Sequence, residues 1–310
     1  MNKIFTITSN PTFDVHINVE NFRQGKENYA YGRSRQAGGK GVNLSRALAN
    51  CGVENTALVL VGRESREEFE KCLCSDGVRF IAEYATGKVR ENITIHSGAE
   101  ETRISLEGTG ITDGDMGRIF DVAEKLCGDG DFLVFSGRVP QGLDRKRICE
   151  KLKAFASSGA KLCVDSNSFE RSEIAFISPW LIKPNRDELA ALCGMPVDSV
   201  AGAFRFAEEL TRDGVENVLV SLGESGAMLV GSDGGRLVAR PQAIVAVSTI
   251  GAGDSMLAGF ISSMAESDDK GRALASAVAW GTAKCLREGT LPPFPEDIER
   301  IRPTVTVEKS

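Results

Sequence analysis

The chain has 310 residues but only two histidines, three tyrosines, two tryptophans and no long apolar run. No segment approaches the roughly 18 uncharged apolar residues of a membrane-spanning helix, so none is expected. The start, Met-Asn-Lys-Ile-Phe-Thr-Ile, lacks the basic, apolar and cleavage-site series of an export signal. Eight cysteines are scattered without a C-x-x-C pair; Cys72 and Cys74 are the closest. They are expected as packing residues of a protein in the reducing cytoplasm, not as metal ligands. Positive charge is not in excess: 37 Lys and Arg face 43 Asp and Glu, with a net charge of −6. Nucleic acid is therefore excluded as the main partner. The phosphate-loop pattern G-x-x-x-x-G-K-[ST] is absent as well, so a nucleotide would have to be held by other means.

Glycine, by contrast, is plentiful at 33 residues, and two clusters carry chemistry. The first to consider is Ser248-Thr249-Ile250-Gly251-Ala252-Gly253-Asp254. It reads as a strand end, a tight turn, an acid and then a helix. Backbone N–H groups of Gly251, Ala252 and Gly253 can approach a ligand closely, at a helix N-terminus whose dipole favours an anion. Asp254 follows at once, placed to accept a proton. An anion cradle beside a base is what phosphoryl transfer to a hydroxyl requires. The second cluster is Ala37-Gly38-Gly39-Lys40-Gly41-Val42-Asn43, again ahead of a helical pattern. Its glycines would let a ligand lie on the backbone, with Lys40 and Asn43 projecting polar groups towards it.

Together the clusters resemble the phosphofructokinase B, or ribokinase-like, family of carbohydrate kinases. Gly38-Gly39-Lys40-Gly41-x-Asn43-x-Ser45, then Gly52 and Gly62, is similar to that family's first signature. Ser248-Thr249-x-Gly251-Ala252-Gly253-Asp254, then Ala258-Gly259, is similar to the second. Four further matches follow the family's order: Asn10-Pro11-x-x-Asp14, Ser136-Gly137 with Pro140, Lys183-Pro184-Asn185-x-x-Glu188, and Ser221-Leu222-Gly223-x-x-Gly226.

Strand and helix patterns alternate along the chain, which predicts an α/β protein with a largely parallel sheet covered on both faces. Strands are predicted at 4–8, 57–61, 132–135, 161–164, 180–183, 218–221 and 227–230. Helices are predicted at 42–51, 67–76, 115–127, 145–157, 200–212, 254–264 and 272–286. Turns at Asp14, Ser136, Asp165, Lys183, Ser221 and Asp254 follow strands, where such sheets bind ligands. Residues 14–35 and 88–106 carry period-two patterns instead, which predicts a small antiparallel sheet. The resemblance implies a three-layer sandwich formed by one domain over 1–310. The small sheet would be a lid over the sugar, pairing two subunits into a homodimer. A lid suits the chemistry, because water competes with the sugar hydroxyl for the phosphoryl group.

The resemblance also implies roles. Asp254 would be the base, and the Gly251–Asp254 amides would stabilise the transferring group. Asp14 and Asn43 would bind sugar hydroxyls, with Gly38, Gly39, Lys40 and Ser136 around them. ATP would lie along Lys183, Asn185, Ser221, Gly223, Gly226 and Gly281. Glu188 would serve Mg2+ through water, since that ion keeps several waters. Arg90 with Asn92 resembles the phosphosugar-binding members, and Arg103 and Arg138 would bring further guanidinium groups, which suit phosphate oxygens. Lys26 could join them. The expected acceptor is a ketohexose monophosphate: fructose 1-phosphate at O6 first, then tagatose 6-phosphate or fructose 6-phosphate at O1. A sugar-phosphate binding protein without catalysis is the alternative of another class, and the intact Asp254 turn speaks against it. A nucleoside kinase would call for an aromatic pocket, at odds with 6% aromatic residues. The chain departs from the family pattern at Arg66, Arg138-Val139 and Ser9, which bears on acceptor preference.

Overall fold

Residues 2–98, 100–108 and 110–310 are described by a computed structural model. In chain order the strands are β1 (Ile4–Thr8), β2 (Thr12–Val19), β3 (Ala30–Gly38), β4 (Thr56–Gly62), β5 (Phe80–Ala85), β6 (Arg90–Ser97) and β7 (Glu100–Ser105). There follow β8 (Phe132–Ser136), β9 (Lys161–Asp165), β10 (Leu181–Ile182), β11 (Asn217–Ser221), β12 (Ala227–Gly231), β13 (Arg236–Arg240) and β14 (Thr306–Lys309). The main sheet has the order β14-β13-β12-β11-β10-β9-β8-β1-β4-β5. From β11 to β5 all neighbours are parallel, while β12, β13 and β14 form an antiparallel edge.

Alternation along each strand feeds two cores. Leu133 and Phe135 of β8 face the helices Asp113–Leu126, Arg145–Ser157 and Val200–Arg212. Phe132 and Val134 face Lys40–Asn50, Ala252–Glu266 and Lys270–Lys284. Strands buried on both faces explain the near-continuous apolar runs of β4 and β8. Helix Ala252–Glu266 lies close against Lys270–Lys284 because Gly259 has no side chain. A Cβ there would stand 2.5 Å from Trp280 Cγ.

The second sheet has the order β3-β2-β6-β7. Its outer pairs are antiparallel, but β2 and β6 pair in parallel, Asp14 beside Asn92. Each predicted stretch is a hairpin, and the two hairpins meet through their first strands. Period-two patterning marks a strand and leaves the direction of its partner open. The sequence reading passed over β5, β13, β14 and the short helices Arg171–Ile177, Arg186–Cys193 and Pro295–Ile301. Five helices also start earlier than predicted, and two of them, at Lys40 and Ala252, put both glycine clusters at helix N-termini.

Candidate active site

The chain leaves β1 towards β4 on one side and β8 on the other, so the sheet order reverses there and a crevice opens at the strand ends. Thr8, Ser136 and Asp165 lie side by side in register at the ends of β1, β8 and β9, and all three are buried. The hydroxyls of Thr8 and Ser136 and one oxygen of Asp165 have no hydrogen-bond partner. Three neighbouring buried groups in that state mark a place for a polar ligand.

Helix Lys40–Asn50 begins over these ends. Gly39 caps it at φ 112, a backbone conformation that a side chain would strain. Gly41 lets the helix press on β1, since a Cβ there would fall 2.3 Å from Thr8 Oγ1. Gly38 makes room for Asp14, whose Oδ2 lies 2.1 Å from where a Cβ would stand.

From the far end of the sequence, Gly251 turns at φ 77 and starts helix Ala252–Glu266. The N–H of Ala252 bonds back to Thr249 O at 3.2 Å. By helix geometry the N–H groups of Gly253 and Asp254 have no acceptor within the helix. The anion cradle is thus narrower than predicted: Ala252 is already engaged. Asn43 Nδ2 donates to Asp254 Oδ2 at 2.9 Å, closing the gap between the two clusters. Asp254 is buried, and its pKa is pushed up to about 6. Burial is the main cause and the Asp165 charge adds to it, against Lys40, Asn43 and Lys183.

A charge cluster lies beside this turn. Lys40 Nζ is 3.0 Å from Asp165 Oδ1 and 3.8 Å from Glu188 Oε1. Lys183 Nζ is 3.4 Å from the same Asp165 oxygen. It is also 3.2 Å from where a Cβ on Gly253 would stand. Burial alone would raise Asp165, but Lys183 and Lys40 hold it below the usual carboxylate range. Burial opposes the charge on Lys40, and Asp165, Asp254 and Glu188 outweigh that and keep its pKa above the ordinary value. Glu188 Oε2 accepts from Asn185 N, and Asn185 Oδ1 from Glu188 N, so these two close the N-terminus of helix Arg186–Cys193 reciprocally. Asn185 Oδ1 is therefore engaged in the cap.

On the lid side, Arg90 Nη1 donates to Asn92 Oδ1 at 2.9 Å, and Asn92 Nδ2 donates to Asp14 Oδ1 at 3.2 Å. Burial raises the Asp14 pKa, against Asn92, Arg46, Arg90 and Arg103. Burial also lowers that of Arg90, with Asp14 opposing and Arg138 assisting. Arg103 is exposed and paired with Glu101 at 3.0 Å. Arg138 is exposed on the loop after β8.

A cleft of about 850 Å³ opens on the other side of the glycine turn. Asn185, Ser221, Gly223, Gly226 and Gly281 line it together with Gly253, while Lys183, the other residue predicted for the nucleotide, does not. Gly226 has a packing reason too, because a Cβ there would meet Ala239 O at 2.0 Å.

The sequence profile of the pfkB family carbohydrate kinases matches residues 1–297. The chain belongs to that family. A 1-phosphofructokinase of Borreliella burgdorferi is 32% identical over 308 residues, covering 98% of either chain. One of Bacillus subtilis is 29% identical, covering 98% of this chain and 99% of its own. Phosphofructokinase-2 of Escherichia coli, crystallised with fructose-6-phosphate, superposes with a TM-score of 0.90 at 26% identity over 98% of this chain and 99% of that one. Not every glycine in the pfkB signatures of this chain faces the crevice. Gly259 is pressed on Trp280, and Gly62 on the backbone of Lys88. The turn at Asp165 was expected at the strand ends, but the sequence assigned that carboxylate no role beside Lys40 and Lys183.

Proposed function

We propose that the chain is an ATP-dependent kinase of ketohexose monophosphates, transferring the γ-phosphoryl group of ATP to O6 of fructose 1-phosphate to give fructose 1,6-bisphosphate. The observation that carries this reading is the Asn43–Asp254 contact at 2.9 Å. It would put a carboxylate between the groups proposed to hold the sugar and a helix N-terminus that suits phosphate. The 1-phosphofructokinase names of the relatives favour fructose 1-phosphate.

The residues divide the work. Asn43 occupies one oxygen of Asp254 and leaves the other for the sugar hydroxyl. With its pKa near 6, Asp254 is ionised at neutral pH and a stronger base than an ordinary carboxylate. The amides of Gly253 and Asp254, with Lys183 behind them, would receive charge that grows on the transferring group. Asp14, Asn92 and Ser136 would orient the sugar, and Arg90 its phosphate, with Arg138 and Arg103 at the rim. The unpartnered Asp165 oxygen and Glu188 are hard donors that fit Mg2+. That ion would neutralise phosphate charge, and the described residues offer no cluster of three acidic, histidine or cysteine ligands for it, so water would fill the remaining positions. We further propose that the lid pairs two copies, because Tyr29 and Tyr31 on it are 78% and 76% exposed. We keep the cytoplasm as the compartment on the scattered cysteines.

Fructose 6-phosphate is the second reading, favoured by the ligand named for the E. coli structure. The test is ADP release with Mg-ATP over fructose 1-phosphate, tagatose 6-phosphate, fructose 6-phosphate, ribose and adenosine. The highest kcat/KM is expected for fructose 1-phosphate. Turnover of ribose or adenosine alone would refute the assignment.

A further inference from the structure

Lys284 takes no part in the chemistry above, yet it is 1% exposed. It is the last residue of helix Lys270–Lys284, and among the described residues no ion pair to it is found. Its Nζ donates to Arg287 O at 3.1 Å. Its Cε lies 3.7 Å from where a Cβ on Gly251 would stand, directly behind the glycine turn. The segment after the helix is tied to the approach of that turn, since Val247 N and Ser248 N both donate to Cys285 O, at 2.7 and 3.3 Å.

Burying an ammonium group without a carboxylate partner costs several kcal/mol unless dipoles or a bound anion compensate. Two compensations are built in: the Arg287 carbonyl and the negative end of the helix dipole. A third would arrive with the substrate. We infer that Lys284 is a positioning residue, a built-in cation that clamps the end of its helix to the Gly251 turn and shapes that turn for the nucleotide's phosphates. The inference rests on the phosphotransfer reading. The resting ammonium is already strained: burial lowers its pKa to about 8, with Cys285, Glu101 and Asp254 opposing and Arg46 assisting. His16 also lies within its field. A bound anion would restore the proton.

Two variants and one measurement on the unaltered chain test this. Lys284→Met keeps an unbranched side chain one atom shorter and removes the charge. It should melt no lower than the unaltered protein, while kcat falls about 30-fold and the KM for the sugar phosphate stays within about threefold. Lys284→Ala should regain activity with added ammonium or ethylammonium ions, saturably. A kcat of Lys284→Met within threefold of the unaltered protein, or an inactive Lys284→Ala that small ammonium ions do not revive, would overturn the inference. Should neither variant fold, calorimetry of ATP binding without metal decides, at pH 8.5 in buffers of different ionisation heat. Proton uptake is expected, and its absence would overturn the inference; Asp254, near 6, is ionised at that pH and stays so. This arm needs no sugar, so an unaltered protein that phosphorylates nothing would sink the phosphotransfer reading without deciding Lys284.

Discussion

Asp254→Asn separates chemistry from stability in one substitution. Asparagine keeps the shape of the side chain and the reach to Asn43, but it cannot take a proton. General-base catalysis contributes about 10²–10⁴ in rate, so kcat should drop by at least about a hundredfold. ATP and sugar phosphate should still bind within a few-fold. Stability should move the other way. The carboxyl rises from 3.8 to about 6 on folding, mainly through burial. A rise of that size is about 3 kcal/mol of unfavourable ionisation. Because the folded pKa lies above the unfolded one, the penalty is absent below pH 3.8 and complete above about pH 6. Asp254→Asn should therefore be more stable than the unaltered protein at pH 7.5, by up to about 3 kcal/mol, and lose that advantage near pH 4. Coupled ADP release and urea denaturation at both pH values measure the two effects. A variant with near-normal kcat, or one destabilised at pH 7.5, would refute the reasoning.

The same carboxyl sets the acid limb of the rate profile: kcat/KM for the sugar phosphate should rise with pH through about 6, the value for Asp254. A flat profile between pH 5 and 7 would remove Asp254 as the base. Arg90→Ala should raise the KM for the sugar phosphate about 30-fold and that for ATP less than threefold, as expected on losing a charge-assisted phosphate contact. Equal effects on both would deny Arg90 the phosphate. In Gly38→Ala the new Cβ would fall 2.1 Å from Asp14 Oδ2, so the carboxylate must move and sugar affinity should fall while nucleotide affinity holds. Gly259→Ala is the contrasting case: overpacking against Trp280 should cost about 1–3 kcal/mol of stability and leave both KM values unchanged.

The sequence exposed the crevice better than its supports. Gly39, Asn43, Gly251 and Asp254 could be read because a strand, a glycine turn and a helix in series announce an anion site by local rules alone. The alternation of strands and helices marked the main sheet for the same reason. What stayed hidden depends on partners far along the chain. Asp165 could be placed at a strand end, but its part there comes from the register beside Ser136 and the approach of Lys40 and Lys183. Lys284 ends an apolar helix much as any solvated lysine could, until packing buries it behind Gly251. Gly259 and Gly62 look like ligand glycines in the motif but relieve contacts inside the fold. The parallel β2–β6 pairing was invisible because the period-two pattern is the same for either direction.

The most direct measurement is phosphorus NMR of the unaltered protein with Mg-ATP and fructose 1-phosphate. A carboxylate that faces a sugar hydroxyl beneath the γ-phosphate predicts loss of ATP matched one for one by ADP and fructose 1,6-bisphosphate. ATP consumed to ADP and free phosphate, with no new sugar ester, would contradict it.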